Sequence, residues 1–167
     1  KDETMAAKLI NARSETLLEK PSFQNLVPRN RCVAISDGYY EWQRRGSGTK
    51  QPVYIHHPRG RLLPMAGLWS AWTSSAGEEL LTYTVITTAP KKSIAHIHTR
   101  MPVILNPGDL DTWLGSDQNP VHAASNLLVP YRGDLGFHPV STMVNSPRNN
   151  SPDCIRPITD SSTLDMF

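Results

Sequence analysis

Alternation of apolar and polar positions begins at Arg31. From there β-branched and aromatic residues recur at every second place in residues 32–35, 39–43, 52–56, 62–72 and 80–88, the two-residue period of strands with one covered face. Turn-forming residues part them, at Asp37-Gly38, Arg45-Gly46-Ser47-Gly48, Pro58-Arg59-Gly60 and Ser75-Ala76-Gly77. Connections this short favour antiparallel meanders over βαβ crossovers. Residues 101–105 predict a sixth strand, and residues 137–140 a late one.

Helices are expected only around this block. Residues 14–20 read as a short helix that stops before Pro21, and residues 22–27 as a further turn before Pro28, because the residue preceding a proline is pushed out of the helical region. Asn106-Pro107-Gly108-Asp109 has the form of an N-cap with proline at the first helical position, leading into residues 110–114. Residues 120–128 read as a second helix. The pattern as a whole predicts an α+β class: strand-dominated, with antiparallel meanders curled toward a barrel and peripheral helices.

Composition adds bounds. The chain has 167 residues, 38% hydrophobic and 19% charged, which fits one globular domain over residues 1–167. Seventeen basic against fifteen acidic residues leave a net charge of +2. Net charge therefore names no partner, and a nucleic-acid site has to come from local gathering of arginines such as Arg13, Arg29, Arg31, Arg44, Arg45 and Arg100. Cys32 and Cys154 stand in no metal-binding spacing, and Cys32 lies in the apolar run Cys32-Val33-Ala34-Ile35, as expected of a reduced, buried thiol. Without an apolar run of membrane-spanning length or a signal-peptide pattern, an intracellular location is expected. The chain opens with Lys1, so residues upstream are expected to be missing.

No P-loop, dinucleotide fingerprint, Cys-x-x-Cys pair or His-Glu-x-x-His helix is present, so neither nucleotide-driven nor standard zinc chemistry has support. Three polar residues stand in apolar surroundings. Glu41, flanked by aromatics in a strand, is either a carboxyl whose pKa is raised by desolvation, suited to acid catalysis, or an ordinary solvent-facing glutamate. His98 offers a proton shuttle near neutral pH. With His96 two places before it on a strand, or with His56-His57, it could also belong to a metal site. Asn11 either orients a reacting group through its amide or caps the helix that begins near Ser14. Arg13 and Arg100 either clamp phosphates or are ordinary surface arginines.

Taken in order, the blocks resemble the SRAP (SOS-response-associated peptidase) family. The match runs through Ile10-Asn11-Ala12-Arg13-Ser14-Glu15-Thr16, Asp37-Gly38-Tyr39-Tyr40-Glu41-Trp42, Met65-Ala66-Gly67-Leu68-Trp69, Tyr83-Thr84-Val85-Ile86-Thr87-Thr88, Ile97-His98-Thr99-Arg100-Met101-Pro102-Val103 and His138-Pro139-Val140-Ser141. The resemblance implies a sensor of abasic sites in single-stranded DNA. An N-terminal Cys, exposed after loss of the initiator Met, condenses through its amine and thiol with the ring-opened sugar to give a thiazolidine crosslink. It assigns Asn11, Glu41 and His98 to catalysis, and Arg13, Arg100 and Thr87 to the DNA strand. It implies an associated autopeptidase activity, no metal or cofactor, a monomer, and a bacterial cytoplasm or eukaryotic nucleus as the setting. Residue 1 is Lys, so the chain as it stands is expected not to crosslink. Two other readings remain open: a non-covalent reader of single-stranded or modified DNA, and a stand-alone cysteine-type peptidase.

Overall fold

The computed structural model describes residues 9–46, 48–115 and 121–158. Along the described residues run β1 (Asn11–Arg13), β2 (Arg31–Ser36), β3 (Gly38–Arg44), β4 (Lys50–His56), β5 (Leu63–Thr73), β6 (Glu79–Thr88), β7 (Met101–Pro102), α1 (Leu110–Leu114), α2 (Val121–Ser125) and β8 (Gly136–Pro139). The alternating block yields the longest of these, because each strand has one face to bury.

The strands form two sheets. The larger has the order β1-β6-β5-β2 with β7 added on β6, and the smaller has the order β3-β4-β8. The hairpins β3-β4 and β5-β6 are antiparallel, as is the β2-β5 pair. β1 departs from the expected meander, since it lies parallel to β6 with Asn11 opposite Val85 and Arg13 opposite Thr87. The hydrogen-bonded order leaves open edges in both sheets among the described residues, so the curl stops short of closure. The fold is strand-dominated and mixed, with short peripheral helices.

Alternation sets the layers. Ala66, Leu68 and Ile86 enter one apolar cluster with Leu17, Phe23, Val27 and Trp113 from the turns and α1. Their strand neighbours Leu63 and Met65 enter a second cluster with Val53 and Ile55 of β4 and with Ile94, Ile97 and Met101. The larger sheet is thus the middle layer, with turns and helices on one side and the smaller sheet on the other. Trp113 is fully buried, and its indole N–H donates to the carbonyl of Cys32 at 2.8 Å. Its removal costs about 3–5 kcal/mol.

Residues 101–105 fill a fork. Pairing of β5 with β6 ends at Gly67 opposite Val85, and beyond that point the strands part. Val103 sits between them: its N–H donates to Ile86 at 2.8 Å and its carbonyl accepts from Ala66 at 2.8 Å. The two sheets meet at Asp37, the one residue between β2 and β3. A Cβ on Gly38 would lie 2.4 Å from the Tyr54 ring and 2.6 Å from the Ile55 carbonyl, so only glycine permits that approach.

Other expectations are met or corrected locally. Asn106 and Asp109 form a capping box, with the Asn106 N–H on Asp109 Oδ2 at 3.2 Å. The helix expected over residues 14–20 contracts to a 3-10 turn at Ser14–Thr16, followed by turns. Residues 22–27 are also turns, closed by bonds such as Leu26 N–H to Phe23 O at 2.8 Å. Pro21 and Pro28 leave too few residues between them for a longer helix. In the second expected helix Pro120 lies outside the described residues, and the helix proper is Val121–Ser125.

A cleft holding Glu41 and His98

Glu41 stands opposite Val53 in the β3-β4 register, and Val53 belongs to the core between the sheets. Cross-strand partners share a face, so Glu41 points inward with Tyr39 rather than to solvent. His98 follows the 3-10 turn Lys92–Ile94 and is held at the rim by the burial of Ile94 and Ile97. No strand carries His96 and His98, so the same-side arrangement that a metal site on a strand would need does not arise: residues 92–97 are turns and His98 lies just beyond them. His98 Nδ1 lies 3.4 Å from Glu41 Oε1, and the same nitrogen accepts from the Arg100 backbone N–H at 3.2 Å.

Around this pair lies a cleft of about 400 Å³ lined by Glu41, Trp42, Arg44, Lys50, His96 and His98, among others. Burial pushes the Glu41 carboxyl above the usual glutamate range; the nearby imidazole and a backbone hydrogen bond at Trp42 pull it partly back. Burial, and secondarily Glu41, also pushes the Tyr39 hydroxyl well up. That hydroxyl has no hydrogen-bond partner among the described residues. A carboxyl kept protonated can donate to a neutral imidazole, and a charged imidazole can return the proton through the same contact. The arrangement is chemically able to exchange a proton at the mouth of the cleft.

The arginines divide. Arg100 grips Glu15 with both terminal nitrogens, at 2.7 and 2.9 Å, and also donates to Thr87 Oγ1 at 3.3 Å and to the Thr87 carbonyl. The Glu15 carboxyl is held below its usual range chiefly by that hydrogen-bonded guanidinium. Arg13 joins the group through its register with Thr87. Arg13, Thr87 and Arg100 are therefore neighbours. Arg31, by contrast, is 5% exposed and donates to the carbonyls of Val27 and Trp113, so it is structural rather than part of any surface patch.

Asn11 is an exposed residue of β1 and is not a helix cap: Arg13 holds the cap position of the Ser14–Thr16 turn, without a side-chain bond. Ala12 and its partner Ile86 bury in the first core. Asn11 and Arg13 therefore face the other side of the sheet, where Val85 and Thr87 lie. The structure brings Glu41 and His98 together and places Asn11 on β1 of the larger sheet, outside the residues that line the cleft.

Sequence reasoning passed over Tyr39, although its place two residues before Glu41 is the alternation that puts both on one face. Cys32 is half-buried, with its thiol pushed up by burial, and Cys154 is buried. Neither has the electropositive, accessible setting of a reactive thiol. His56 stacks on Tyr54 and meets the His138 ring at a tilt on the smaller sheet, and the buried His57 accepts from the Arg59 N–H at 3.1 Å. No helix among the described residues is long and apolar enough to cross a membrane.

The fold and cleft carry the blocks of one family. Residues 1–147 match the family model described as SOS response associated peptidase (SRAP), and the chain belongs to that family. It is 42% identical over 156 residues to the abasic site processing protein YoqW of Bacillus subtilis (strain 168), covering 93% of this chain and 70% of that protein. It is 40% identical over 175 residues to the abasic site processing protein HMCES of Gallus gallus, covering 92% of this chain and 52% of that one. A crystal structure of a protein from Bacteroides thetaiotaomicron matches with a TM-score of 0.85 at 28% identity, covering 94% of this chain and 69% of its own.

Proposed function

We propose that this chain processes abasic sites in single-stranded DNA by covalent capture. The observation that carries this reading is the meeting of Glu41 with His98 at 3.4 Å in one cleft; the relatives named for abasic site processing add to it. An abasic sugar reacts only as its open-chain aldehyde. Opening requires a proton on the ring oxygen and removal of one from the anomeric hydroxyl. Glu41, protonated more readily than an ordinary glutamate, supplies the first. His98 carries the second.

The nucleophile of this chemistry is the cysteine that begins a mature SRAP protein. Its amine adds to the aldehyde and releases water, giving an imine. Its thiol then adds to the imine carbon while the nitrogen takes up the proton, closing a thiazolidine. Asn11 orients the amine through its amide, and Arg13, Arg100 and Thr87 border the sugar-phosphate strand. Removal of residues ahead of the cysteine would use the same acid and base.

The test is to join an upstream segment opening with Cys to this chain and incubate it with abasic single-stranded DNA. A denaturant-resistant adduct whose formation slows in Glu41→Gln is the expected result. No adduct, with salt-sensitive binding indifferent to Glu41→Gln, would replace capture by non-covalent reading.

A further inference from the structure

Arg44 and Lys50 close the β3-β4 hairpin as direct cross-strand partners. Like charges placed opposite each other on a strand pair destabilise it. The hairpin gives them no room to separate, because the Arg45 N–H donates to the Thr49 carbonyl at 3.0 Å and the Gly48 N–H to the Arg45 carbonyl at 3.0 Å. Neither side chain has an ion-pair partner among the described residues, and both are exposed. Both also line the cleft that holds Glu41 and His98.

Arg100 offers a contrast. Its guanidinium is already committed to Glu15 and Thr87, so an incoming phosphate would compete with a bidentate carboxylate. Among the described residues Arg44 and Lys50 have no such competitor. The hairpin also touches the His98 segment, since the Gln43 amide donates to the His96 carbonyl at 3.4 Å, so the strand ends that carry the two cations lie beside the turn that leads into His98.

We propose that Arg44 and Lys50 form a phosphate clamp on the β3 side of the cleft, gripping the backbone of the single strand next to the sugar held at Glu41 and His98. The proposal rests on the single-stranded DNA reading above. It adds a second contact line, across the cleft from the segment that carries Arg100. An anion between Arg44 and Lys50 would relieve their repulsion, and a phosphodiester brings one charge for each nucleotide.

The experiment measures fluorescence anisotropy of a labelled single-stranded oligonucleotide carrying a stable tetrahydrofuran abasic analogue, titrated with the full chain over a series of salt concentrations. Arg44→Gln/Lys50→Gln is expected to weaken binding roughly tenfold or more at low salt and to flatten the log Kd against log salt slope by roughly 1.4, about 0.7 for each lost contact to a single strand. The charge-keeping swap Arg44→Lys/Lys50→Arg should retain most of the affinity. Thermal melting without DNA should show the Gln variant at or above the wild-type Tm, as loss of repulsion requires. Unchanged affinity and slope in the Gln variant, with wild type binding normally, overturn the clamp and leave the DNA reading standing. A lowered Tm with unchanged slope marks a packing role and overturns it too. If the wild type itself does not bind, the DNA reading falls and the clamp falls with it.

Discussion

Two glutamates, Glu15 and Glu41, each face a basic group from the same short segment, and their carboxyls are driven in opposite directions. Glu15 meets Arg100 with its side chain 50% exposed, and its pKa falls. Glu41 meets His98 two residues earlier with its side chain 20% exposed, and its pKa rises. A nearby cation alone would lower both. What separates them is the partner and the water together: Glu15 is hydrogen-bonded by a guanidinium at the surface, while Glu41 has lost its water to the space between the sheets and has no such bond to offset the loss. One pair is therefore a structural tie; the other, on the proposed reading, is a source of protons.

The largest expected effect bears on that division of labour. In a crosslinking-competent protein, Glu41→Gln should slow adduct formation roughly a hundredfold or more, the usual worth of a positioned acid. Glu15→Gln should change it by no more than about threefold. Equal slowing in single-turnover assays on gels would erase the distinction.

Next comes stability. Arg100→Met removes a bidentate charged pair and the bonds to Thr87, and should lower the urea-derived unfolding free energy by about 1–2 kcal/mol. His98→Ala breaks a contact made by a side chain that is 43% exposed and should cost less than about 1 kcal/mol. A reversed order would mean that His98, not Arg100, is the tie.

The smallest effect is also the sharpest in sign. Glu41 holds its proton more tightly in the folded chain than in the unfolded one, so its ionised form weighs against the fold at neutral pH. Glu41→Gln should accordingly melt above wild type at neutral pH, with the gap closing as pH falls through the raised pKa toward the ordinary glutamate value. Glu15 is the reverse: its contribution is present above the ordinary value and is lost as pH falls through the lowered one. Glu15→Gln should melt below wild type at neutral pH, by at most about 1 kcal/mol for so exposed a pair, with that gap closing in acid. Calorimetric melts across pH read both signs.

Alternation made β2 to β6 legible because each needs one buried face, and the Asn106 cap was legible because it is local chemistry. The contact of Glu41 with His98 and that of Glu15 with Arg100 were not, since each joins positions far apart in sequence. Alternation says that Glu41 shares a face with Tyr39 without saying whether that face is covered; Val53 and the second core decide it. β1 escaped notice because three residues are too few to show a period, and its partner is a distant parallel strand. For the Ser14 to Val27 stretch, helix-forming composition was outweighed by two prolines and by the need of Leu17, Phe23 and Val27 to reach one core.

Val103 keys two diverging strands together, and the chain that carries it also carries His98 and Arg100 a few residues earlier. Both side chains, and with them the contacts to Glu41 and Glu15, thus hang from the keystone of the middle layer, not from a loose loop. The Glu41–His98 contact therefore depends on this insertion, which joins positions remote along the chain, the kind of closure that is slow to form. A molecule whose keystone has slipped out would lose both contacts while the β3-β4 hairpin still had its own pairing.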